Sequence, residues 1–280
     1  MVNFLEFIQN TKKIFELNGI ENINLESKLI LSLYFNIKLK DMFMYHNNII
    51  SEKDEEKLNK IIKLRLQNKP LSKIFHKKTF WDFEFYVDEN VLDPRFDTEI
   101  MIEEIIKTYN TTDELTILDL GTGSGCIIIT LLKMFKNMTG TAVDISKEAL
   151  NVACKNAEKL GVNKRCEFKH SRWNDEVDDK FDIIVSNPPY IPNEVIKTLS
   201  PMVQNFDPFL ALSGGEDGLD CYRFLAENLE KNYKDTTKIF LEIGCDQKDD
   251  VVKIFEDNGY KFIKSVNDYS GICRVLVFGK

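Results

Sequence analysis

The sequence has few residues of the kind that build metal sites, and it has no long apolar run. It contains only 3 His, and its 6 Cys are scattered without a C-x-x-C pair. Neither a zinc site nor a disulfide framework is therefore predicted, and we expect reduced thiols. The longest stretch without a charged side chain is the 13 residues of Leu120–Leu132, against about 20 for a membrane-spanning helix. We expect no metal and no membrane partner.

The N-terminal segment also lacks the order of features found in a secretory signal. Glu6 interrupts its apolar run, and the basic pair Lys12 and Lys13 follows that run instead of preceding it. With 43% hydrophobic and 29% charged residues and 20 Phe among 280 residues, the chain has the balance of a globular protein. We therefore expect a cytoplasmic protein with a sizeable core.

Charge is unevenly distributed along the chain. Residues 1–80 hold 14 Lys and Arg against 9 Asp and Glu, whereas the remaining residues hold 23 against 36. Affinity for nucleic acid depends on basic side chains that neutralise phosphates. The acidic part of the chain therefore predicts no stable nucleic-acid partner. The mildly basic beginning fits a solvated helical surface, or contact with a ribosomal or other acidic partner.

Hydrophobic periodicity predicts three parts: a helical bundle over residues 1–72, a linker with a β-hairpin over 73–97, and an α/β domain over 98–280. In the bundle, Asn24 is a candidate helix cap, and Ser51 with Asp54 forms a capping pattern before a charged helix. In the α/β domain, strands alternate with helices, which favours an open, mainly parallel, doubly wound sheet. The predicted strands are Thr116–Leu120, Thr141–Val143, Cys166–Lys169, Phe181–Ser186, Ile239–Ile243 and Val275–Phe278.

A glycine-rich turn follows the first of these strands, in the segment I-L-D-L-G-T-G-S-G-C-I. Glycine at Gly121, Gly123 and Gly125 allows unusual dihedral angles and close approach of a ligand to the backbone. The third glycine comes one position earlier than in the dinucleotide pattern G-x-G-x-x-G. No G-K-[ST] follows, which excludes a P-loop.

Two carboxylates accompany this turn. Asp144 ends the next strand, 23 residues after Gly121, where a carboxylate can accept hydrogen bonds from both ribose hydroxyls of an adenosine. Asp119 stands two residues before Gly121, where it would repel a pyrophosphate and attract an amino group or sulfonium cation. Alone, Asp144 could be a helix-capping acid. Together with the turn, the two acids favour S-adenosyl-L-methionine over a nicotinamide cofactor.

A second motif, N-P-P-Y, ends the strand at Phe181–Ser186. Open α/β sheets bind their ligands at this end of a strand. Asn187 offers a side-chain carbonyl, Pro188 a backbone carbonyl and Tyr190 a flat ring, and the motif supplies no base, thiol or hydroxyl nucleophile. Two acceptors that take both N–H groups of a planar amide or amine would favour its pyramidal transition state. The alternative is a rigid turn after a buried strand.

These segments resemble the class I S-adenosylmethionine-dependent amino-methyltransferases. V-L-D-P-R-F-D-T-E (Val91–Glu99) and N-F-D-P-F-L-A-L-S-G-G-E-D-G-L (Asn205–Leu219) are similar to signatures of the HemK/PrmC family, the glutamine N5-methyltransferases of peptide chain release factors. The resemblance extends over about residues 70–280. It implies a Rossmann-like catalytic domain, an N-terminal domain that docks the release factor, and the Gln of a Gly-Gly-Gln loop as substrate.

The resemblance also implies roles for individual residues. The residues expected to bind the cofactor, which would leave as S-adenosyl-L-homocysteine, are Gly121, Thr122, Gly123, Ser124, Gly125, Asp144, Trp173 and Asn187. Asn187, Pro188 and Tyr190 are the expected catalytic residues, and with Pro189 they would hold the glutamine amide. Arg95, Thr98 and Glu99 would form the linker wall of the site, with Arg95 and Thr98 contacting substrate.

Four positions depart from the family pattern. Asp93 replaces an apolar residue, Phe96 replaces a second proline, and His76 replaces a common glycine. Arg172 stands at a position that is often acidic. The missing proline leaves the linker less constrained, and Arg172 weakens the expected contact to the adenine amine, but none of the four belongs to the amide-binding motif.

Three other functions compete with this interpretation. A DNA or RNA methyltransferase acting on an exocyclic amine, of the adenine N6 type, could use the same motif, but it normally carries a basic or aromatic target-recognition region. A non-catalytic binding protein would not need an intact Asn187–Tyr190 motif. A nicotinamide oxidoreductase is disfavoured by the glycine spacing.

Overall fold

The computed structural model describes residues 2–280, which form two compact units. The first unit ends at Lys77 and the second spans Lys78–Lys280. Each has its own buried apolar core. Within residues 2–280, no helix combines the length and the apolar character that a bilayer-spanning helix needs. The break between the units falls inside the predicted linker, and the three-part division stays a prediction.

The first unit is helical. It contains α1 (Phe4–Leu17), α2 (Ile23–Phe35), α3 (Glu52–Leu66), α4 (Leu71–Phe75) and a 3-10 segment at Leu39–Tyr45. The prediction of a Ser51 cap is confirmed, because its hydroxyl accepts the backbone N–H of Asp54. The Asn24 prediction is wrong: α2 begins at Ile23, so Asn24 lies inside the helix. Asn22 holds the N-cap position with a left-handed φ of 53° and makes no side-chain capping hydrogen bond.

The second unit is built on a seven-stranded sheet, and the fold class predicted from the sequence is confirmed. A separate hairpin pairs β1 (Lys78–Phe80) with β2 (Phe83–Phe85). The sheet strands are β3 (Thr116–Leu120), β4 (Thr139–Asp144), β5 (Cys166–His170), β6 (Phe181–Ser186), β7 (Tyr233–Glu242), β8 (Lys261–Asn267) and β9 (Cys273–Gly279). They lie in the order β5-β4-β3-β6-β7-β9-β8. The first five are parallel, whereas β9 runs antiparallel to β7 and β8.

Helices cover both faces of this sheet. They are α5 (Glu99–Thr108), α6 (Cys126–Met134), α7 (Lys147–Leu160), α8 (Asn193–Ile196), α9 (Pro201–Phe206), α10 (Phe209–Leu212), α11 (Asp220–Asn228) and α12 (Lys248–Asp257), with 3-10 turns at Phe96–Thr98, Asn163–Arg165 and Leu229–Asn232. Successive strand residues point to opposite faces. Ile117 therefore packs in the core with α5 and α6, while Leu118 packs in the core with α11 and α12.

The strand order places the site. The chain passes from β3 to β4 on one side and later returns through β6 on the other side of β3. This reversal leaves a crevice beyond the carboxyl ends of β3, β4 and β6, where open α/β sheets bind ligands. The glycine turn, Asp144 and Asn187 follow these three strand ends.

Candidate active site

A cavity of about 390 Å³ lies in this crevice. It contains most of the residues that the sequence singles out for cofactor and substrate. Its lining includes Arg95, Thr98, Gly121, Thr122, Gly123, Ser124, Asp144, Trp173, Asn187 and Pro189. Gly125, Pro188 and Tyr190 are not part of this lining. One cavity therefore holds the glycine turn, the acidic end of β4 and the Asn187 end of β6.

The glycine turn is fixed by the neighbouring strand. Gly121 and Thr122 both donate backbone N–H groups to the carbonyl of Val143, at 2.9 Å each. Gly123 has a left-handed φ of 55°, and a Cβ there would meet no atom within 4 Å, so its backbone faces open space. Gly125 serves packing instead: a Cβ would lie 2.6 Å from Ile129 Cδ1. Gly125 thus lets α6 start close to its neighbours.

Asp144 joins the end of β4 to this turn. Its Oδ2 accepts the Gly123 N–H at 2.9 Å and its Oδ1 accepts the Ser146 N–H at 2.9 Å. Burial raises the pKa of Asp144, and these backbone donors oppose the increase. Each carboxylate oxygen has a further lone pair available for a hydroxyl donor. The carboxylate is therefore held rigidly at the cavity wall.

Asp119 is the buried acid beneath the turn. Thr122 Oγ1 donates to its Oδ2 at 2.7 Å, whereas Oδ1 has no hydrogen-bond partner among the described residues. Burial raises the pKa of Asp119 to about 7, against the opposing hydrogen bond from Thr122. A buried carboxyl oxygen without a donor is costly unless a ligand supplies one. The cofactor expected from the sequence carries an ammonium group and a ribose diol. The acceptors Asp119 and Asp144 fit those groups.

The Asn187–Tyr190 turn is held on several sides. Before it, Ser186 Oγ donates to the carbonyl of Leu120 at 2.7 Å, which ties β6 to β3. The Asn187 amide donates through Nδ2 to Thr98 Oγ1 at 3.3 Å. At the far end, Gln247 Nε2 donates to the Tyr190 carbonyl at 3.0 Å. The half-buried Tyr190 ring packs against the core on the β7 side of the sheet, and burial raises the pKa of its hydroxyl.

Linker residues form one wall of the cavity. Arg95 pairs with Asp207 at 2.9 Å and Thr98 is buried. Glu99 instead accepts the backbone N–H of Trp81 at 2.7 Å, within the second unit. Of the departures from the family pattern, Phe96 is 71% exposed with the Lys78 ammonium 5.5 Å from its ring centroid, while Asp93 is buried.

Trp173 and Arg172 also line the cavity and share one aromatic neighbour. Trp173 has a left-handed φ of 50°, and its ring lies 6.3 Å from that of Phe224. The Arg172 guanidinium carbon lies 4.9 Å from the same Phe224 ring. Arg172 therefore stacks on a ring that the sequence pattern did not bring into the site.

Outside the cavity lining of the second unit, His76 caps α4 with a left-handed φ of 54°. Glycine is the usual residue in that conformation. His76 thus replaces the common glycine of the family pattern at a position where the backbone conformation favours glycine.

Sequence reasoning missed three side chains that support the site. Gln247 holds the Tyr190 carbonyl, as described above. Asn156 donates through Nδ2 to the Ser124 carbonyl at 2.9 Å and accepts the Tyr86 N–H at 2.7 Å. Glu242 is buried at the end of β7 beside Thr98 and Asn187. The segment L-E-I-G carries the available signal, because an acid at the end of an apolar strand is unusual.

Two families match this chain. Residues 92–215, which include most of the site, match the family described as "Methyltransferase small domain". Residues 6–75, which lie in the helical unit, match "PrmC N-terminal domain". The two matched segments follow the same division into a helical unit and an α/β unit.

Full-length relatives share both parts. A release factor glutamine methyltransferase of Agrobacterium fabrum is 33% identical over 95% of this chain and 94% of its own length. One of Caulobacter vibrioides is 36% identical over 92% of this chain and 90% of its own length. A methyltransferase structure from Pyrococcus furiosus superposes with a TM-score of 0.55 at 20% identity, over 79% of this chain and 98% of that chain, and shows the fold. The chain belongs to the release factor glutamine methyltransferase family.

Proposed function

We propose that this protein transfers a methyl group from S-adenosyl-L-methionine to the side-chain amide nitrogen, N5, of the Gly-Gly-Gln glutamine in peptide chain release factors. The observation that carries the proposal is the shared cavity: Asn187 at the end of β6 faces the space bounded by the glycine turn and Asp144. A methyl donor held by the turn and an amide held by Asn187 would therefore meet there. This modification would support translation termination.

The chain's own residues account for donor binding. Asp144, which lines the cavity, would accept the ribose hydroxyls. The buried Asp119 Oδ1, which has no hydrogen-bond partner among the described residues, would accept the ammonium group. The backbone of Gly121–Gly123 allows close approach, and the Trp173 ring covers the neighbouring wall. When bound, the donor supplies an electrophilic methyl group on a sulfonium cation.

The Asn187–Tyr190 turn accounts for activation of the amide. A carboxamide nitrogen is a poor nucleophile because its lone pair is delocalised into the carbonyl group. Asn187 Oδ1 and the Pro188 backbone carbonyl would accept its two N–H bonds, with Pro189 and the Tyr190 ring against its plane. Asn187 and Pro189 line the cavity, whereas Pro188 and Tyr190 lie beside them in the chain, outside the lining. Acceptors fixed in this way favour the pyramidal nitrogen of the transition state over the planar ground state. Positioning and electrostatics thus replace a strong base.

The partner follows from the family and from the helical unit. Both relatives described above are named for release factor glutamine methylation, and they match this chain over both units. We infer that the helical unit docks a folded release factor while Arg95 and Thr98 contact the loop that enters the cavity. A DNA or RNA exocyclic-amine methyltransferase is not favoured by these relatives.

Methyl transfer to a purified release factor tests the proposal. The protein, tritium-labelled S-adenosylmethionine and a release factor should yield labelled factor, and mass spectrometry of its peptides should place one methyl group on the Gly-Gly-Gln glutamine. A Gln→Ala change in that loop should abolish labelling. Transfer RNA and duplex DNA are the control substrates. Label that survives the Gln→Ala change, or that appears on nucleic acid instead, would exclude the proposed substrate.

A further inference from the structure

Glu242 is a buried carboxyl without a salt bridge among the described residues. It is 2% exposed at the end of β7, a strand paired on both sides, by β6 and β9. The nearby Arg274 is committed elsewhere, to Asp268 at 3.0 Å and Asp97 at 3.2 Å. Within residues 2–280, Glu242 Oε2 has no hydrogen-bond partner. Burial of such a group lowers stability, so packing alone does not explain its presence.

The polar neighbours of this carboxyl belong to the amide-binding site. Asn187 follows Ser186, which pairs with Leu241, so Asn187 and Glu242 are neighbours at the adjacent ends of β6 and β7, and hydrogen-bond donation from Thr98 and Asn187 opposes the rise in the pKa of Glu242. Asn187 Nδ2 also donates to Thr98 Oγ1 at 3.3 Å. The NH₂ end of the Asn187 amide therefore faces Thr98 and Glu242. Because the amide is planar with its two ends opposed, Oδ1 lies on the other side, and Asn187 lines the cavity.

We propose that Glu242 is a positioning residue that, together with Thr98, holds the Asn187 amide in the orientation that presents its carbonyl oxygen to the substrate. A carboxylate only accepts hydrogen bonds. It therefore stabilises an Asn187 NH₂ group facing it and repels the carbonyl oxygen of a flipped Asn187. In the flipped orientation, Asn187 would present N–H groups to the N–H groups of the substrate amide, and no hydrogen bond could form.

The protonation state of Glu242 provides a test of this role. Burial raises its pKa to about 7, hydrogen bonds from Thr98 and Asn187 oppose the increase, and the charges of Asp97 and Arg274 act in opposite directions. A protonated carboxyl carries an O–H donor, which would also hold the flipped amide. Orientation should therefore be lost as the pH falls through about 7.

Other titratable groups face Glu242 from the surrounding elements. They are Asp97, Cys126, Tyr190, Tyr222 and Arg274. Burial raises the pKa of Cys126, Tyr190 and Tyr222, so these three stay neutral near pH 7, while Arg274 stays charged. Asp119 also has a pKa of about 7, but it lies in the donor site. Saturating donor therefore separates its effect from that of Glu242.

Because this role presupposes methyl transfer to an amide nitrogen, the kinetic experiment starts from wild-type activity on a release factor. Single-turnover rates with saturating donor are compared across pH for the wild type, Glu242→Gln and Glu230→Gln. Glu230 is an exposed glutamate paired with Lys280 and serves as the matched control. Glu242→Gln should lower the rate by about 10-fold or more, as expected when a hydrogen bond to a charged group is lost, with donor affinity unchanged. The acid limb of the wild-type profile should disappear in Glu242→Gln and remain in Glu230→Gln.

A second measurement does not depend on activity. The side-chain ¹⁵N–H₂ signals of Asn187, assigned by comparison with Asn187→Ala, should shift with pH in the wild type with a midpoint near 7. They should not respond in this range in Glu242→Gln. Thr98→Val removes one donor to the carboxyl but leaves the carboxyl itself. In Thr98→Val, the Asn187 signals should therefore still shift with pH.

The outcomes separate the two proposals. The positioning role would be overturned if Glu242→Gln kept the rate and the pH profile of the wild type. It would also be overturned if the Asn187 signals of the wild type did not change with pH. A reduced melting temperature with unchanged single-turnover rate would also overturn it, since it would assign Glu242 to the fold. If the wild type fails to label any release factor, the proposed function fails. The Asn187 titration still tests the orientation in that case.

Discussion

At the scale of single residues, the site is characterised by acids in unusual surroundings. Asp119 and Glu242 are both buried, and burial raises the pKa of each to about 7. Each also has one carboxyl oxygen without a hydrogen-bond partner among the described residues. Protein interiors rarely tolerate such groups without a functional reason. We infer that these two acids lie beneath the proposed donor and amide sides of the same cavity.

Replacing Asp119 by Asn should stabilise the protein at neutral pH. A carboxyl with a raised pKa binds its proton more tightly in the folded than in the unfolded state. Wild-type stability is therefore lost as the pH rises from 3.8, the usual pKa of an Asp side chain, to about 7. Relative to the wild type, Asp119→Asn should gain up to about 4 kcal/mol in free energy of unfolding at pH 8, and little near pH 4. Urea denaturation without donor measures both values.

Asp182→Asn is a control variant in which the free energy of unfolding should change in the opposite direction. Although burial acts against it, the pKa of Asp182 is lowered because the Lys234 ammonium, at 2.9 Å, and Thr116 donate to it. This carboxylate stabilises the fold above its unfolded pKa and loses that contribution as the pH falls. Asp182→Asn should therefore be destabilised at pH 8 and recover toward the wild type in acid. The same direction of change in both variants would contradict the electrostatic explanation of Asp119.

Asn187→Ala should separate amide binding from donor binding. Loss of Oδ1 removes one of the two proposed acceptors for the substrate amide, and loss of a key transition-state hydrogen bond lowers turnover by about 100-fold or more. Single-turnover methyl transfer and calorimetric donor binding measure the two effects. Equal losses in both would show that Asn187 serves the donor alone.

At the scale of elements, the site depends on how the strand ends are tied together. The start of α12 does this for the Asn187–Tyr190 turn. Gln247 Nε2 donates to the carbonyls of Tyr190 and Gly218, at 3.0 and 3.1 Å, and its Oε1 accepts the Gly244 N–H at 2.9 Å. The Gln247 amide thus links three chain segments, because it supplies the hydrogen-bond partner for two backbone carbonyls and one backbone N–H.

Gln247→Ala should loosen that turn. The Tyr190 and Gly218 carbonyls and the Gly244 N–H would lose their shared partner, so the turn would sample other positions. We expect turnover to fall about 10-fold or more, with donor affinity near that of the wild type, because the glycine turn and Asp144, which are proposed to bind the donor, follow or end β3 and β4 and not β6. Asn258→Ala, which removes an exposed amide at the other end of α12, is the control and should change neither value. Full turnover in Gln247→Ala would show that the turn is rigid without it.

Sequence patterns predicted the inner strands of the sheet, whose side chains are mostly buried, but not α12, although its Val251 and Phe255 are buried. The strands at Thr116–Leu120 and Phe181–Ser186 have the predicted bounds, and the strand predicted at Cys166–Lys169 extends by one residue to His170. The edge strand β8 was missed, because most of its side chains are partly or fully exposed and show no alternation. The short helices α8–α10 were also missed, since each has fewer than seven residues and shows too little periodicity.

The limits at the site have the same physical origin. Gly121, Asp144 and Asn187 belong to compact local motifs, and a local pattern can reveal them. Glu242 and Gln247 act on residues more than 50 positions away in the sequence, so their role becomes visible only when β7 lies beside β6. Contacts of this kind depend on the topology of the sheet, and no local pattern encodes them.

At the scale of the whole molecule, two units of different character share one chain. The helical unit contains most of the basic part of the sequence, and Phe43 and Met44 are 68% and 61% exposed on it. The α/β unit is acidic and contains the cavity. Each has its own core. A division between docking and chemistry is consistent with these differences, and it can be tested by separating the units.

Removal of residues 1–77 should impair capture of the protein substrate and leave the chemistry intact. Residues 78–280 retain both cores of the sheet and every residue that lines the cavity, so the truncated protein should still unfold cooperatively and bind the donor as the full chain does. Its circular dichroism should lose only the signal of the helical unit. Because docking contacts in the helical unit would be lost, KM for a release factor should rise by about 10-fold or more, equivalent to at least about 1.4 kcal/mol of binding.

A short peptide that carries Gly-Gly-Gln is the matched substrate, since it reaches only the cavity. Its kcat/KM should be the same for the truncated and the full-length protein, whereas that of the release factor should fall. An unchanged KM for the folded factor would refute the docking role. An equal fall in kcat/KM for the peptide and for the release factor would instead show that the helical unit maintains the cavity. The peptide makes no docking contacts, so its kcat/KM can fall only if the cavity itself is damaged.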